Sequence, residues 1–258
     1  MTEAMTALIE ADLPDSWQEL EEAVARILVE CGYDVELHKT VKLARGDVDI
    51  DVWADDHSRP PNVIAVECKL WSTPVPKTVV HSFRTVVGDS GANVGLVVSS
   101  AGFQEGAVKA AAYSTVRLLD WAGFQEMFIE RWFTQFMLPR LAIETDPLQE
   151  YTEPINSRIF RKADELAPGR QEQFKVLRKL YLPLAGIALG FRARLLDLEG
   201  ADSLSLPLRP TGGDLSEFGV LLPDDILDAK ALRPLMDALI EHSRDATAEF
   251  DDVFGSRA

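Results

Sequence analysis

The sequence has 258 residues, of which 47% are hydrophobic and 26% are charged, a composition typical of a folded globular protein. A formal net charge of −16 argues against a protein that grips nucleic acid through a broad basic surface. The longest largely apolar run, Leu180–Phe191, is shorter than the roughly 20 residues of a membrane span, and no signal peptide is evident. Two cysteines in apolar surroundings, Cys31 and Cys68, indicate reduced thiols, so we expect a cytoplasmic protein without membrane contact.

The first predicted element is a helix that opens at Pro14-Asp15-Ser16. Ser16 and Glu19 have the spacing of a capping box, in which two side chains satisfy free backbone N–H groups at a helix start. The helical pattern runs to about Glu30 and stops near Gly32.

Glu21 lies at the border of the apolar stripe on this helix, at about 100° per residue. A carboxylate on a core-facing side is costly unless it has a partner. Two interpretations stay open: an edge position that reaches water, or a third acid aimed at a site. The stripe itself contains Trp17, Leu20, Val24, Ile27, Leu28 and Cys31.

Two strands follow, over Tyr33–Val41 and Asp47–Trp53. In the second strand apolar residues alternate with acids, so the acids share one face of the sheet. The acids are Asp47, Asp49 and Asp51, and the apolar residues are Val48, Ile50 and Val52.

The stretch Asn62–Trp71 predicts a buried strand that ends in Glu67-Cys68-Lys69. Glu67 and Lys69 share a face, and adjacent strands can bring them to Asp51. Two carboxylates form a hard oxygen site for Mg²⁺, and a lysine beside it can position a water. The alternative is a surface ion pair at a strand end, worth about 0–1 kcal/mol.

The elements that follow complete the order α-β-β-β-α-β-α-β with a trailing helix, which predicts a mixed sheet flanked by helices. They are a helix over Pro76–Val87, a strand over Asn93–Ser99, a short helix up to Ala112, a strand over Thr115–Leu119 and a helix from Trp121 to about Leu138.

Beyond Asp146 the sequence predicts a mainly helical region. Residues 157–199 have a helical pattern that we expect to be interrupted near Pro168-Gly169 and at Pro183. Residues 200–224 are rich in proline and glycine and indicate a loop, and residues 225–250 predict a helix that Pro234 kinks or restarts.

Residues 16–135 resemble the Mrr-type branch of the restriction endonuclease-like, PD-(D/E)xK nuclease superfamily. The order of strands and helices agrees with that fold, although residues 146–258 are not explained by it. The matching positions, in family order, are Leu20-Glu21, Val24, Gly32-Tyr33, Gly46-Asp47, Ile50-Asp51-Val52, Val66-Glu67-Cys68-Lys69, Gly102-Phe103, Gly106-Ala107 and Leu118-Leu119-Asp120.

The resemblance implies a role for each site residue. Asp51, Glu67 and the backbone carbonyl of Cys68 would bind Mg²⁺, for which Mn²⁺ can substitute. Lys69 would serve the attacking water, and Glu21 would support the site from the helix. The chain departs from many relatives in having Glu67 where Gln is frequent and Asp49 where Gly is frequent.

The sequence therefore predicts a restriction endonuclease-like domain over residues 1–145 and a mainly helical domain over residues 146–258. We expect a Mg²⁺-dependent endonuclease that hydrolyses DNA, in restriction or defence against foreign DNA. The acidic charge predicts help from a homo-oligomer or from a separate protein that delivers DNA. The alternative is a partner-binding subunit of a larger complex, in which the nuclease fold serves as an assembly platform.

Overall fold

The computed structural model describes residues 7–43, 46–57, 60–193, 198, 204–208 and 222–255. The chain divides into two compact units. The sheet unit is Asp12–Phe136, and the helical unit combines Met1–Ala11 with Met137–Ala258.

The described strands of the sheet unit form a five-stranded sheet in the order β1-β2-β3-β4-β5. The first three strands are antiparallel neighbours, whereas β3, β4 and β5 run parallel, so the predicted mixed sheet is confirmed. The strands are β1 Asp34–Leu43, β2 Gly46–Asp56, β3 Asn62–Lys69, β4 Val94–Ser99 and β5 Val116–Leu119.

The flanking helices follow the predicted order as well. A parallel pair needs a crossover connection, and α2 and α3 supply the connections from β3 to β4 and from β4 to β5. The helices are α1 Trp17–Glu30, α2 Lys77–Ser90, α3 Glu105–Ala111 and α4 Trp121–Trp132.

Helix α1 begins with the predicted cap. The Ser16 hydroxyl accepts a hydrogen bond from the backbone N–H of Glu19 at 3.2 Å, and the Glu19 carboxylate accepts one from the backbone N–H of Asp15 at 3.1 Å. The helix ends before Gly32, whose φ of +83° favours glycine. Trp17 differs from the prediction, because it is 53% exposed, one turn before the buried stripe begins at Leu20.

The core of the sheet unit follows the alternation of β2. Ile50 is buried and packs in one cluster with Ala65 of β3 and with Phe83 and Val87 of α2. Helix α2 approaches the sheet closely at Gly95, where an added Cβ would lie 2.5 Å from the Val87 side chain.

The helical unit also includes the described N-terminal segment 7–11. The carbonyl groups of Leu8 and Ile9 accept hydrogen bonds from the backbone N–H groups of Leu232 and Arg233 at 2.8 and 2.9 Å. These N–H groups lie in the first turn of a helix, where they have no partner within the helix. The helices of this unit are α5 Leu138–Thr152, α6 Ser157–Asp164, α7 Pro168–Arg192, α8 Asp224–Leu227 and α9 Leu232–Phe254.

Several boundaries differ from the prediction. The helix expected to end near Leu138 leads instead through a π-helical turn, Phe133–Met137, into α5. The predicted division between residues 145 and 146 therefore falls inside α5, while the two compact units divide after Phe136.

The prolines of the helical unit behave unequally. Pro168 begins α7, as the predicted interruption implies, but the interruption predicted at Pro183 is wrong because α7 continues through it. Pro234 is the third residue of α9, in the first turn, where a missing N–H costs no helical hydrogen bond. Most of the predicted loop over residues 200–224 lies outside the described residues. In the described part of the chain, no helix is both long and apolar enough to cross a membrane.

Candidate active site

The site forms where β2 and β3 separate. The last paired residues of these strands are Val52 and Val66, so Asp51 and Glu67 each lie one position beyond the ladder. The side chain of Asp51 bridges the gap, because its Oδ2 accepts a hydrogen bond from the backbone N–H of Cys68 at 2.7 Å. This bond fixes the Asp51 carboxylate against the end of β3.

Lys69 occupies the centre of the group. Its Nζ lies 2.6 Å from Glu67 Oε1 and 3.6 Å from Asp51 Oδ2, and it donates a hydrogen bond to the carbonyl oxygen of Cys68 at 3.1 Å. One ammonium group is therefore surrounded by oxygens from the three residues that the sequence predicts as metal ligands.

The backbone around Lys69 is held by the neighbouring strand. Lys69 pairs with Ser99 at the end of β4, and its carbonyl oxygen accepts a hydrogen bond from the backbone N–H of Ser100 at 3.1 Å. The Ser100 hydroxyl also donates to the carbonyl of Trp71 at 2.9 Å. The chain that leaves the site is therefore anchored at Lys69 and at Trp71.

Glu21 approaches from α1. It is buried, which excludes the interpretation of an edge position that reaches water. Its Oε2 lies 3.4 Å from Nε2 of His38, a residue of β1. The sequence analysis missed His38, although the hairpin offered a signal. Counting five positions outward from the closing pair of Leu43 and Gly46 places His38 opposite Asp51.

The electrostatics indicate that these groups are close neighbours. Burial raises the pKa of Glu21, the charge of Asp51 raises it further, and His38 and Lys69 act in the opposite direction. Burial also raises the pKa of Glu67, again with Asp51 as the second cause and against the effect of Lys69. Burial lowers the pKa of Lys69, but Glu67 and Asp51 together raise it above its ordinary value.

Burial acts first on the pKa values of Glu67 and Lys69, and the charges of the site then add to it or oppose it. A single ammonium faces several carboxylates, so its charge is favoured while each carboxylate still repels the others. The Cys68 thiol takes no part as an anion, since burial raises its pKa well above the ordinary value. Its carbonyl oxygen, rather than its sulfur, faces the ammonium of Lys69.

The donor set suits a hard cation only if the carbonyl is included. Among the described residues, no group of three or more His, Cys, Asp or Glu side chains is arranged to hold a metal ion. Two carboxylates and a carbonyl are nevertheless oxygen ligands of the kind that Mg²⁺ prefers. The Lys69 ammonium is the positive group that contacts all three donors.

An open pocket of about 380 Å³ lies beside Glu67 and Lys69. Its walls come from the first half of β2, the end of β3 and one side of α2, so it gives solvent and solutes access to the site. The other lining residues are Val48, Asp49, Trp71, Thr78, Val79, Ser82, Phe83 and Val86.

Residues 15–128 match the family model Mrr_cat, described as a restriction endonuclease. No curated protein sequence matches the chain. The match includes α1, the whole sheet and the start of α4, and therefore every residue of the group described above.

Solved structures give weaker similarities. A protein of unknown function, AF1548, is 17% identical, covers 94% of this chain and 100% of that chain, and has a TM-score of 0.35. A repair endonuclease from Pyrococcus abyssi is 17% identical over 44% of this chain and 50% of that chain, with a TM-score of 0.32. The MspJI restriction endonuclease bound to a 27-mer oligonucleotide is 18% identical over 46% and 28%, with a TM-score of 0.29.

Proposed function

Because residues 15–128 form an Mrr-type restriction endonuclease-like domain, we propose that the protein is a metal-dependent endonuclease that hydrolyses phosphodiester bonds in DNA. The observation that carries the proposal is the oxygen cluster around Lys69 where β2 and β3 separate. A surface ion pair would not need a second carboxylate fixed by the backbone N–H of Cys68, nor a buried Glu21 beside it.

Asp51, Glu67 and the Cys68 carbonyl would hold the metal, Mg²⁺ or Mn²⁺. When bound, the ion would neutralise charge on the scissile phosphate and lower the pKa of a water molecule. Lys69 contacts the same oxygens, so its ammonium would compete with a divalent cation for them.

Each of the protein's own groups has a separate role in the proposed reaction. Lys69 would orient the attacking water and stabilise the negative charge that develops on the phosphate. Asp51 stays in place because the Cys68 N–H holds it, and the Ser100 N–H holds the carbonyl of Lys69. Glu21, on α1, would support the site by orienting the groups around it.

The chain's own charges are poorly suited to binding DNA. Lys69 is enclosed by acids, and Arg84 of α2 donates a hydrogen bond to the carbonyl of Ala110 at 2.8 Å. The net charge of −16 repels a polyanion at long range. We propose that a homo-oligomer or a separate protein with a basic surface supplies the missing contacts.

The biological setting follows only from the family. A restriction endonuclease acts on foreign DNA, and we propose a role in such defence, in the cytoplasm. The rival proposal is a subunit that binds partners and has the nuclease fold as a platform, which the acidic charge favours. The two differ in whether the purified chain has metal-dependent activity.

The experiment is a cleavage assay on supercoiled plasmid DNA, with and without modified bases, in Mg²⁺, in Mn²⁺ and in excess EDTA. Asp51→Asn should abolish cleavage. Asp47→Asn, an exposed acid in the same strand, is the matched control and should retain it. Absence of metal-dependent cleavage on every plasmid, or full activity of a folded Asp51→Asn variant, would reject the enzyme and favour the partner-binding subunit.

A further inference from the structure

His38 has an unusual backbone conformation for a residue inside a strand. Its φ is +52°, in the left-handed region that residues other than glycine seldom adopt. The pairs on either side, Leu37 with Val52 and Lys39 with Ile50, are intact. No turn therefore requires this conformation, and local strain of this kind concentrates at functional sites.

The strained position faces the site. His38 and Asp51 occupy the two places between the flanking pairs, so they stand opposite one another in the β1–β2 ladder. The imidazole does not simply extend into water, because its Nε2 lies 3.4 Å from Oε2 of Glu21.

The contact joins an exposed residue to a buried one. The His38 side chain is 58% exposed, whereas that of Glu21 is 7% exposed. Glu21 is electrostatically coupled to Asp51, Glu67 and Lys69, and His38 is one of the groups that favour its ionised form. His38 therefore approaches Glu21 from the solvent side, while the other groups belong to the centre of the site.

A second histidine shows what an ordinary surface pair looks like. His57 lies 2.6 Å from Asp34 and 3.4 Å from Asp55, at the other end of the same hairpin. His57 and Asp34 are both strongly exposed, and the φ of His57 is not positive. Such pairs contribute little, which makes His57 a suitable comparison for His38.

We propose that His38 is a positioning residue of the nuclease site, which holds one oxygen of Glu21 so that the carboxylate keeps a fixed orientation toward Asp51 and Lys69. This inference rests on the proposed function. The left-handed backbone of His38 and the approach of its imidazole to Glu21 of α1 occur at the same position of β1. Partners that orient a catalytic group in this way typically change activity by about 10-fold to 100-fold when removed.

The test uses the full chain with His38→Gly, because glycine adopts a positive φ without strain. The melting temperature should stay the same or rise, while kcat for plasmid cleavage falls about tenfold with little change in KM. Free imidazole added to the assay should restore part of the lost rate. A residue with only a structural role would lower stability and would not respond to imidazole.

Three further variants complete the design. His57→Ala should keep the wild-type kcat, and His38→Asn, which also tolerates a positive φ, serves if the glycine variant fails to fold. Glu21→Gln combined with His38→Gly should cost no more than Glu21→Gln alone, since both changes remove the same contact. A wild-type kcat in folded His38→Gly or His38→Asn would overturn the proposal.

A measurement without catalysis separates this inference from the proposed function. The Glu21 carboxyl group, followed by carbon NMR in metal-free protein, should titrate at higher pH in His38→Gly than in the wild type, and His57→Ala should leave it unchanged. If the wild type fails to cleave DNA, the proposed function fails, yet this titration still decides whether His38 acts on Glu21. An unchanged titration would overturn the inference.

Discussion

The two units of the chain differ in how their charged side chains are arranged. In the sheet unit, Glu21 is buried and Glu67 is half-buried, each near another carboxylate, and their pKa values rise as a result. In the helical unit, carboxylates pair with arginines instead, from the half-buried pair of Arg233 with Glu10 to more exposed pairs. Arg244 binds Glu144 at 2.7 Å and Arg158 binds Glu150 at 2.8 Å, and each pair includes a strongly exposed side chain.

The core of the helical unit is aromatic instead. Tyr151 stacks on Phe250 with ring centroids 4.7 Å apart, and Phe174 meets Phe250 edge to face at 5.9 Å. The Tyr151 hydroxyl donates a hydrogen bond to Asp251 at 2.5 Å, and Tyr181 donates one to Glu249 at 2.8 Å. The polar ends of these buried rings are therefore satisfied at the rim of the core.

This difference indicates which substitutions should affect activity and which should affect stability. Like charges held together are an electrostatic cost that a bound cation or substrate can offset, whereas stacked rings and rim hydrogen bonds stabilise the fold in every state. We expect changes in the first group to alter activity more than stability, and changes in the second to do the reverse.

The largest expected effect comes from Lys69→Met, which keeps the length of the side chain and removes its charge. Cleavage should fall by about a thousandfold, the upper range for loss of a single charge-stabilising donor. Binding of Mn²⁺, measured by calorimetry, should become tighter, because no ammonium competes for Asp51, Glu67 and the Cys68 carbonyl. Lys109→Met, which breaks an exposed pair with Glu105, is the control and should change neither. Weaker metal binding in Lys69→Met would contradict the competition.

The reverse effect should follow from Phe250→Ala in the helical unit. Phe250 is fully buried and contacts the rings of Tyr151, Phe174 and Tyr181. Truncation should reduce the free energy of unfolding by about 3–5 kcal/mol, measured by urea denaturation. Val176→Ala, at an exposed position of α7, should cost less than about 0.5 kcal/mol. Equal losses in the two variants would show that the aromatic cluster is not the core of this unit.

The sheet unit was more predictable from the sequence than the helical unit, for physical reasons. Strand alternation and the end of β3 are local signals, so Asp51, Glu67 and Lys69 could be placed together from spacing alone. The angle of Glu21 on α1 placed it only at the border of the apolar stripe, and its burial depends on the elements that pack against α1. The contact of His38 depends on a left-handed residue in a strand, which no periodic pattern predicts.

In the helical unit the missing information is long-range. The hydrogen bonds that the start of α9 donates to the carbonyls of Leu8 and Ile9 join residues more than two hundred positions apart, which local patterns cannot indicate. The unbroken helix at Pro183 shows that tertiary packing can outweigh the local preference of proline to end a helix. The boundary between the units was obscured because helix continues through Phe133–Met137.

Glu21→Gln is a finer test of the contrast, since it changes one charge and hardly changes volume. Glu21 is buried and coupled to the site, so cleavage should slow by about tenfold, in the range for groups that orient a catalytic centre. Glu22→Gln, at the exposed neighbouring position on α1, should cleave DNA at a rate within about twofold of the wild type, because Glu22 faces solvent. Equal rates in the two variants, both folded, would remove Glu21 from the site.

The smallest expected effect is a pH-dependent gain in stability from Glu67→Gln in metal-free protein. Because the folded-state pKa of Glu67 is raised above 4.5, the native state binds its proton more tightly than the unfolded chain does. Wild type and variant should therefore have similar stability below pH 4.5. As the pH rises through the folded-state pKa, wild-type Glu67 ionises at a cost, and the variant should become the more stable protein. The gain should be about 1.4 kcal/mol for every pH unit that separates the folded-state pKa from the unfolded-state pKa.

Thermal unfolding between pH 4 and pH 8 measures this gap, and Glu105→Gln, at an exposed position, should show no comparable trend. Addition of Mg²⁺ at pH 8 should reverse the order, because a bound cation stabilises only the protein that keeps its carboxylate ligand. A gap that narrows as the pH rises would mean that the pair of Glu67 with Lys69 outweighs burial and the repulsion from Asp51. The carboxylates of the site would then already be compensated without metal, and the contrast between the two units would disappear.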